Sequence, residues 1–99
     1  MITVKAYEIT RTLNVGDTGE DVYAVEERLK ALGYLLEAND VYDELTANAV
    51  KNFQSNTELF SYGVADITTQ IRLNDELKAS KVLVDKQYER ALSLAKNIK

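Results

Sequence analysis

Apolar side chains recur at Val22, Val25, Leu29 and Leu32, the spacing that lines one face of an α-helix. The stripe predicts a first helix that starts near Gly19 and closes at Gly33. Thr18 and Asp21 form a capping-box variant at its start, the threonine hydroxyl accepting from the Asp21 amide while a carboxylate faces the positive helix end. At its end Gly33 supplies a left-handed residue, and Tyr34 folds back onto Leu29 as the apolar partner of a Schellman cap.

A second helix is predicted from Asp43 as N-cap, with Thr46, Ala49, Val50 and Phe53 as its inward stripe, fading near Asn56. After a loop holding Leu59, Phe60, Tyr62 and Gly63, the pattern V-x-D-x-x-T at Val41, Asp43 and Thr46 recurs 23 residues later at Val64, Asp66 and Thr69. Each copy is expected to bury its valine and then cap a helix with its aspartate, so Asp66 opens a third helix with Leu73 and Leu77 inward. Two copies make a pseudo-symmetric helix pair rather than a solenoid. The trio Val82, Leu83 and Val84 precedes Asp85, the expected cap of a last helix striped by Tyr88, Ala91, Leu92 and Ala95. At the other end Ile2, Val4 and Ala6 alternate with polar residues, as in an extended segment. The fold class is all-α: a three-helix bundle with an additional C-terminal helix and a short extended N-terminal segment.

Ninety-nine residues make room for one core and exclude a second large domain. The chain has no cysteine and no histidine, which removes disulfides, thiolate zinc sites, the usual general base and the commonest metal ligand. An independent enzyme is therefore not expected, and neither a catalytic residue, a metal nor a cofactor is assigned. Asp43 and Asp66 sit at helix starts with no other reactive group beside them, so they are caps rather than acid/base carboxylates. Ser80 and Lys81, adjacent in sequence, have no context for a catalytic dyad.

Net charge is divided along the chain. Residues 1–77 carry 14 acidic and 6 basic side chains, and residues 78–99 carry 2 and 6. An acidic body lacks the basic face that nucleic acid requires, so nucleic acid is not an expected partner. No stretch reaches the roughly 18 apolar residues of a membrane span, and MITVKAYEIT lacks the basic-then-apolar pattern of an export signal. Membrane insertion by this segment is not expected.

Three motifs in order, L-x-V-G-D-x-G-x-D-V-x-x-V-E-x-x-L-x-x-L-G-Y-L, V-Y-D-x-x-T-x-x-A-V-x-x-F-Q and Y-G-V-A-D-x-x-T, closely resemble the small peptidoglycan-binding domain of bacterial cell-wall hydrolases. The resemblance covers residues 13–78 and implies a three-helix bundle that holds an attached enzyme on peptidoglycan. The flanks ITVKA and DKQYERALSLAK are similar to segments of carboxyl-terminal processing proteases, serine peptidases in which some members carry such a module near the C-terminus. The implied division is 1–12 as the end of the parent catalytic domain, 13–78 as the module and 79–99 as a helix of the protease tail.

The resemblance implies an extracytoplasmic, envelope-associated module whose partners are peptidoglycan and the parent protease's catalytic domain. A structural insertion that positions or gates the protease without binding glycan is the alternative. The expected ligand surface is a shallow groove beside the second helix, using Tyr34, Asn39, Asp40, Tyr42 and Tyr62. Exposed tyrosines stack on sugars and hydrogen-bond their hydroxyls, but Tyr34, Tyr42, Phe60 and Tyr62 can equally be half-buried packing. The acidic surface suits the free amino groups of stem peptides. Some positions depart from the family pattern: glycines are replaced by Asp40 and Asp43, the usual L-Q is Val25-Glu26, and the usual G-L is Glu58-Leu59. Asp43 is explained as a cap, and Asp40 is expected to take up a glycine-type backbone.

Overall fold

The computed structural model describes residues 3–80 and 83–85. The order is β1 (Thr3–Lys5), α1 (Glu20–Ala31), α2 (Glu44–Asn56), α3 (Ile67–Ala79) and β2 (Leu83–Asp85). The three helices fall where the apolar stripes place them, and α1 touches α2, α3 and β1. Leu13, Val22, Val25, Leu29, Ala49, Val50, Phe53 and Leu73 meet in one core with Tyr42 and Ala65.

The helix ends follow from local chemistry. Asp43 Oδ1 accepts from the Thr46 amide at 3.0 Å, and the Thr46 hydroxyl faces the Asp43 amide, completing a capping box. Asp66 accepts from the Thr69 amide at 2.8 Å in the same way. At the end of α1 the Tyr34 amide reaches Leu29 O at 2.7 Å and the Gly33 amide reaches Lys30 O at 3.0 Å, the two bonds of a Schellman motif. Gly33 has φ +93°, a conformation its missing Cβ makes cheap.

The start of α1 differs from the expectation for Thr18. Its N-cap is Gly19 at φ +135°, with no side-chain cap. The Thr18 main chain is drawn sideways: it bridges Val41, and its carbonyl accepts from Arg11 Nη2 at 2.9 Å. Arg11 also pairs with Asp21 at 2.8 Å, so the acidic residue of the expected box is engaged by a cation instead.

Residues 13–19 run antiparallel to both inter-helix loops, Leu13 bridging Ala65 and Thr18 bridging Val41. This pairing corrects the reading of the repeated motif. Side chains alternate across extended backbone, and the register turns Val41 outward, at 43% exposure, while its successor Tyr42 is buried. In the second copy Val64 is half-buried and Ala65 fills the core. The middle residue of each V-x-D enters the interior, not the valine.

Strand β1 pairs in parallel with β2, Val4 opposite Val84. Residues 3–5 are extended as expected, with Val4 at 1% exposure, and Asp85 lies in β2 opposite Lys5. Ile2 and the predicted last helix lie outside the described residues. The N-terminal flank packs onto the bundle: Tyr7 lies against the core, its hydroxyl donating to Gln70 Oε1 at 2.7 Å. Its ring receives the guanidinium of buried Arg28, with Cζ 4.7 Å from the centroid, a cation–π contact. Arg28 Nε donates to Asn74 Oδ1 at 2.7 Å, so one side chain joins the flank, α1 and α3.

Candidate functional site

The outward face of α1 carries Glu20, Tyr23 and Glu27 at helical spacing, opposite the inward Val22, Val25 and Leu29. Because the flank lies beside this face, the two enclose a groove of about 700 Å³, bounded by Lys5, Ala6, Tyr7, Glu8 and Thr10 on one side. Asp21 and Ala24 complete the α1 side, and Asn39 and Asp40 close one end. Five carboxylates and one lysine line it. Tyr23, 41% exposed, presents an aromatic surface beside the charges.

The carboxylates are not equivalent. The Arg11 guanidinium bonded to Asp21 holds that carboxyl below its ordinary range. Glu27 Oε1 accepts the Lys5 amide at 3.2 Å, tying β1 to the helix. Burial pushes the Tyr7 phenol far above its ordinary value, so it stays a neutral donor to Gln70. Among the described residues no group of three or more acidic, histidine or cysteine side chains is arranged to hold a metal ion.

Of the five side chains expected to contact ligand, the structure brings Asn39 and Asp40 together in this groove, which runs along α1 rather than beside α2. Asn39 is exposed; its Oδ1 accepts the Val41 amide at 2.9 Å, which fixes the turn. Asp40 is exposed and its carbonyl accepts the Gly19 amide at 3.1 Å. Asp40 has no positive φ; the glycine-type conformation falls on Glu58 instead, at φ +64°.

The three tyrosines lie elsewhere. Tyr34 is half-buried edge-on to Phe53, centroids 5.6 Å apart and planes at 87°, and its hydroxyl accepts from Asn56 Nδ2 at 3.0 Å. Tyr42 is 1% exposed and donates to Gly63 O at 2.7 Å. A ring so enclosed offers no stacking face, and its hydroxyl is committed to holding the second inter-helix loop. This corrects its reading as a ligand contact. Tyr62, 42% exposed, tilts against Phe60, 79% exposed, and donates to the Asp66 carboxylate.

Tyr23, Glu20 and Glu27 are not among the expected contacts; their signal in the sequence is their mutual spacing on the face that the apolar stripe leaves free. Nor is Gln54, whose signal is its place in the F-Q pair. Gln54 is fully buried: its Oε1 accepts the Tyr62 and Gly63 amides at 3.1 and 3.0 Å, and its Nε2 donates to Val64 O and Thr69 Oγ1. One amide thus holds the loop that carries Phe60 and Tyr62.

Residues 18–73 match the family model of the peptidoglycan binding domain. The chain belongs to the peptidoglycan-binding domain family. Solved structures agree with the assignment of this domain. The N-terminal domain of SleB superposes with a TM-score of 0.64 at 31% identity, over 67% of this chain and 92% of that one. A Burkholderia AP3 phage endolysin superposes at 0.63 and 34% identity, over 66% of this chain and 25% of that one. The carboxy-terminal processing protease CtpA of Bacillus subtilis (strain 168) is 35% identical over 86 residues, 87% of this chain. The chain spans 18% of the length of that protease. At 86 residues the similarity to the protease is longer than the family match, which spans residues 18–73.

Proposed function

We propose that this peptidoglycan-binding domain is a non-catalytic module that anchors a parent carboxyl-terminal processing protease to the cell wall, outside the cytoplasm. Family membership supports wall binding, and the similarity to the Bacillus protease supports that kind of parent. The observation that carries the ligand chemistry is the groove along α1, with five carboxylates, one lysine and the exposed Tyr23. Protonated amino groups of stem peptides are its electrostatic complement, and Tyr23 offers a surface to a neighbouring sugar or peptide unit. Asn39 and Asp40 take part from the groove's end. Tyr34 and Tyr62, outside this groove, contact further units of the same polymer. Single contacts of this kind are weak, and repetition along the wall raises the effective affinity.

Sedimentation with purified peptidoglycan stripped of teichoic acid tests the reading. The domain is expected in the pellet at low salt and increasingly in the supernatant as salt screens the groove. The triple variant Glu20→Gln, Glu27→Gln, Asp40→Asn is expected to remain in the supernatant at every salt concentration. A wild-type domain that never pellets contradicts wall binding and leaves the reading as a structural insertion, which the packing of the flank against α1 favours. A triple variant that pellets like the wild type moves the site away from this groove.

A further inference from the structure

Glu26 lies inside the domain, 2% exposed, where α1 meets the loop before α2. Its Oε1 accepts the Asn39 amide at 3.0 Å, and its Oε2 lies 2.6 Å from Thr46 Oγ1. The same hydroxyl lies 3.0 Å from Asp43 Oδ1. A threonine hydroxyl carries one proton, so with both carboxylates ionised it serves only one of them, and one of these oxygen–oxygen contacts has no proton in it. A proton on Glu26 Oε2 fills that gap, so that each of the two contacts holds one proton. Glu26 then donates to Thr46, and Thr46 donates to Asp43, while Oε1 continues to accept from Asn39.

We infer that Glu26 is a proton-dependent clasp that ties α1 to the capping box of α2, through Thr46 and Asp43, most firmly when protonated. The titratable groups facing it are Asp43 from the start of α2, Asp40 from the loop, and the Tyr42 phenol, which burial keeps neutral. The ion pairs among the described residues, Arg11–Asp21 and Arg72–Glu76, do not include it. Burial pushes the Glu26 carboxyl above its ordinary range, and the two aspartates push the same way, against the hydrogen bonds from Thr46 and Asn39. Three positions that depart from the family pattern, Glu26, Asp40 and Asp43, thus converge on one junction.

A carboxyl whose value is higher folded than unfolded binds its proton more tightly in the folded state. Its contribution to stability is complete below the unfolded value and is lost as pH rises through the folded one. The caps run in the opposite sense. Asp43, lowered by the Thr46 amide bond, stabilises above its unfolded value and loses that contribution as pH falls. Comparing wild type with Glu26→Gln isolates the clasp, because glutamine offers the donor and acceptor of the protonated acid at every pH.

Side-chain carboxyl carbon NMR is expected to give Glu26 a midpoint above the ordinary glutamate value of about 4.3, with the Asn39 amide shift following the same midpoint. Thermal melts are expected to show Glu26→Gln gaining on the wild type by several degrees between pH 4 and pH 7. A Glu26 midpoint at or below the ordinary value, an Asn39 amide that does not follow it, or a melting difference equal at both pH values overturns the inference. No wall material enters these measurements, so the clasp and the wall-binding reading fail separately.

Discussion

Phe53→Ala is expected to bring the domain close to unfolding. The ring is 1% exposed at the centre of the core and is the edge-on partner of Tyr34. Truncating a buried phenylalanine costs about 3–5 kcal/mol, from lost transfer energy and from a cavity that rigid neighbours do not fill. Domains are stable by only about 5–15 kcal/mol in total. With roughly 4–8 °C lost per kcal/mol in a domain of this size, the melting temperature should fall by more than about 10 °C. Urea titration followed by circular dichroism measures the change. A loss under about 1 kcal/mol would mean that α1 and α2 do not share one core through this ring.

Gln54→Leu tests a different source of order. Leucine keeps nearly the same volume, so packing changes little; what disappears is an amide that satisfies the Tyr62 and Gly63 amides, the Val64 carbonyl and the Thr69 hydroxyl. The Tyr62 amide keeps Phe60 O at 3.2 Å and the Val64 carbonyl keeps the Asp66 amide at 3.0 Å, so the buried Gly63 amide is the group left without its acceptor. Orphaning a buried polar group costs about 1–3 kcal/mol, and a loss in that range is expected. Hydrogen exchange should show the Tyr62 and Gly63 amides losing protection before the helices do. If those amides keep their protection and stability changes by less than about 1 kcal/mol, Gln54 is not what holds the loop.

The features legible in the sequence are those decided by residues near one another in the chain. The stripes from Val22 to Leu29 and from Thr46 to Phe53, the caps at Asp43 and Asp66, and the Gly33–Tyr34 closure all depend on contacts within one helical turn or two. The inward turn of Tyr42 and Ala65 was not legible, because it is set by bridges to Thr18 and Leu13, more than 20 residues away. Thr18 looked like a cap because its competing engagements, Val41 and Arg11, are visible only in three dimensions. Buried Glu26, Arg28 and Gln54 read as ordinary polar helix positions. Each is buried because it finds polar partners or an aromatic face in another segment: Asn39 and Thr46, Asn74 and Tyr7, and the loop amides.

The groove was hidden for the same reason. Only its Asn39–Asp40 end was singled out, since its walls come from the flank and the outer face of α1, and no spacing along the chain records that the two lie side by side. β1 and β2, paired in parallel although they stand at opposite ends of the described chain, follow the same rule.

The central claim is that this surface takes up amine-bearing wall fragments, and titration of the isotope-labelled chain with defined muropeptides, read residue by residue by NMR, tests it most directly. The account predicts saturable shifts at Glu20, Tyr23, Glu27, Asn39 and Asp40, reduced when the fragment's free amine is acetylated. Shifts confined to other faces, or none at concentrations that saturate an established wall-binding domain, would contradict it.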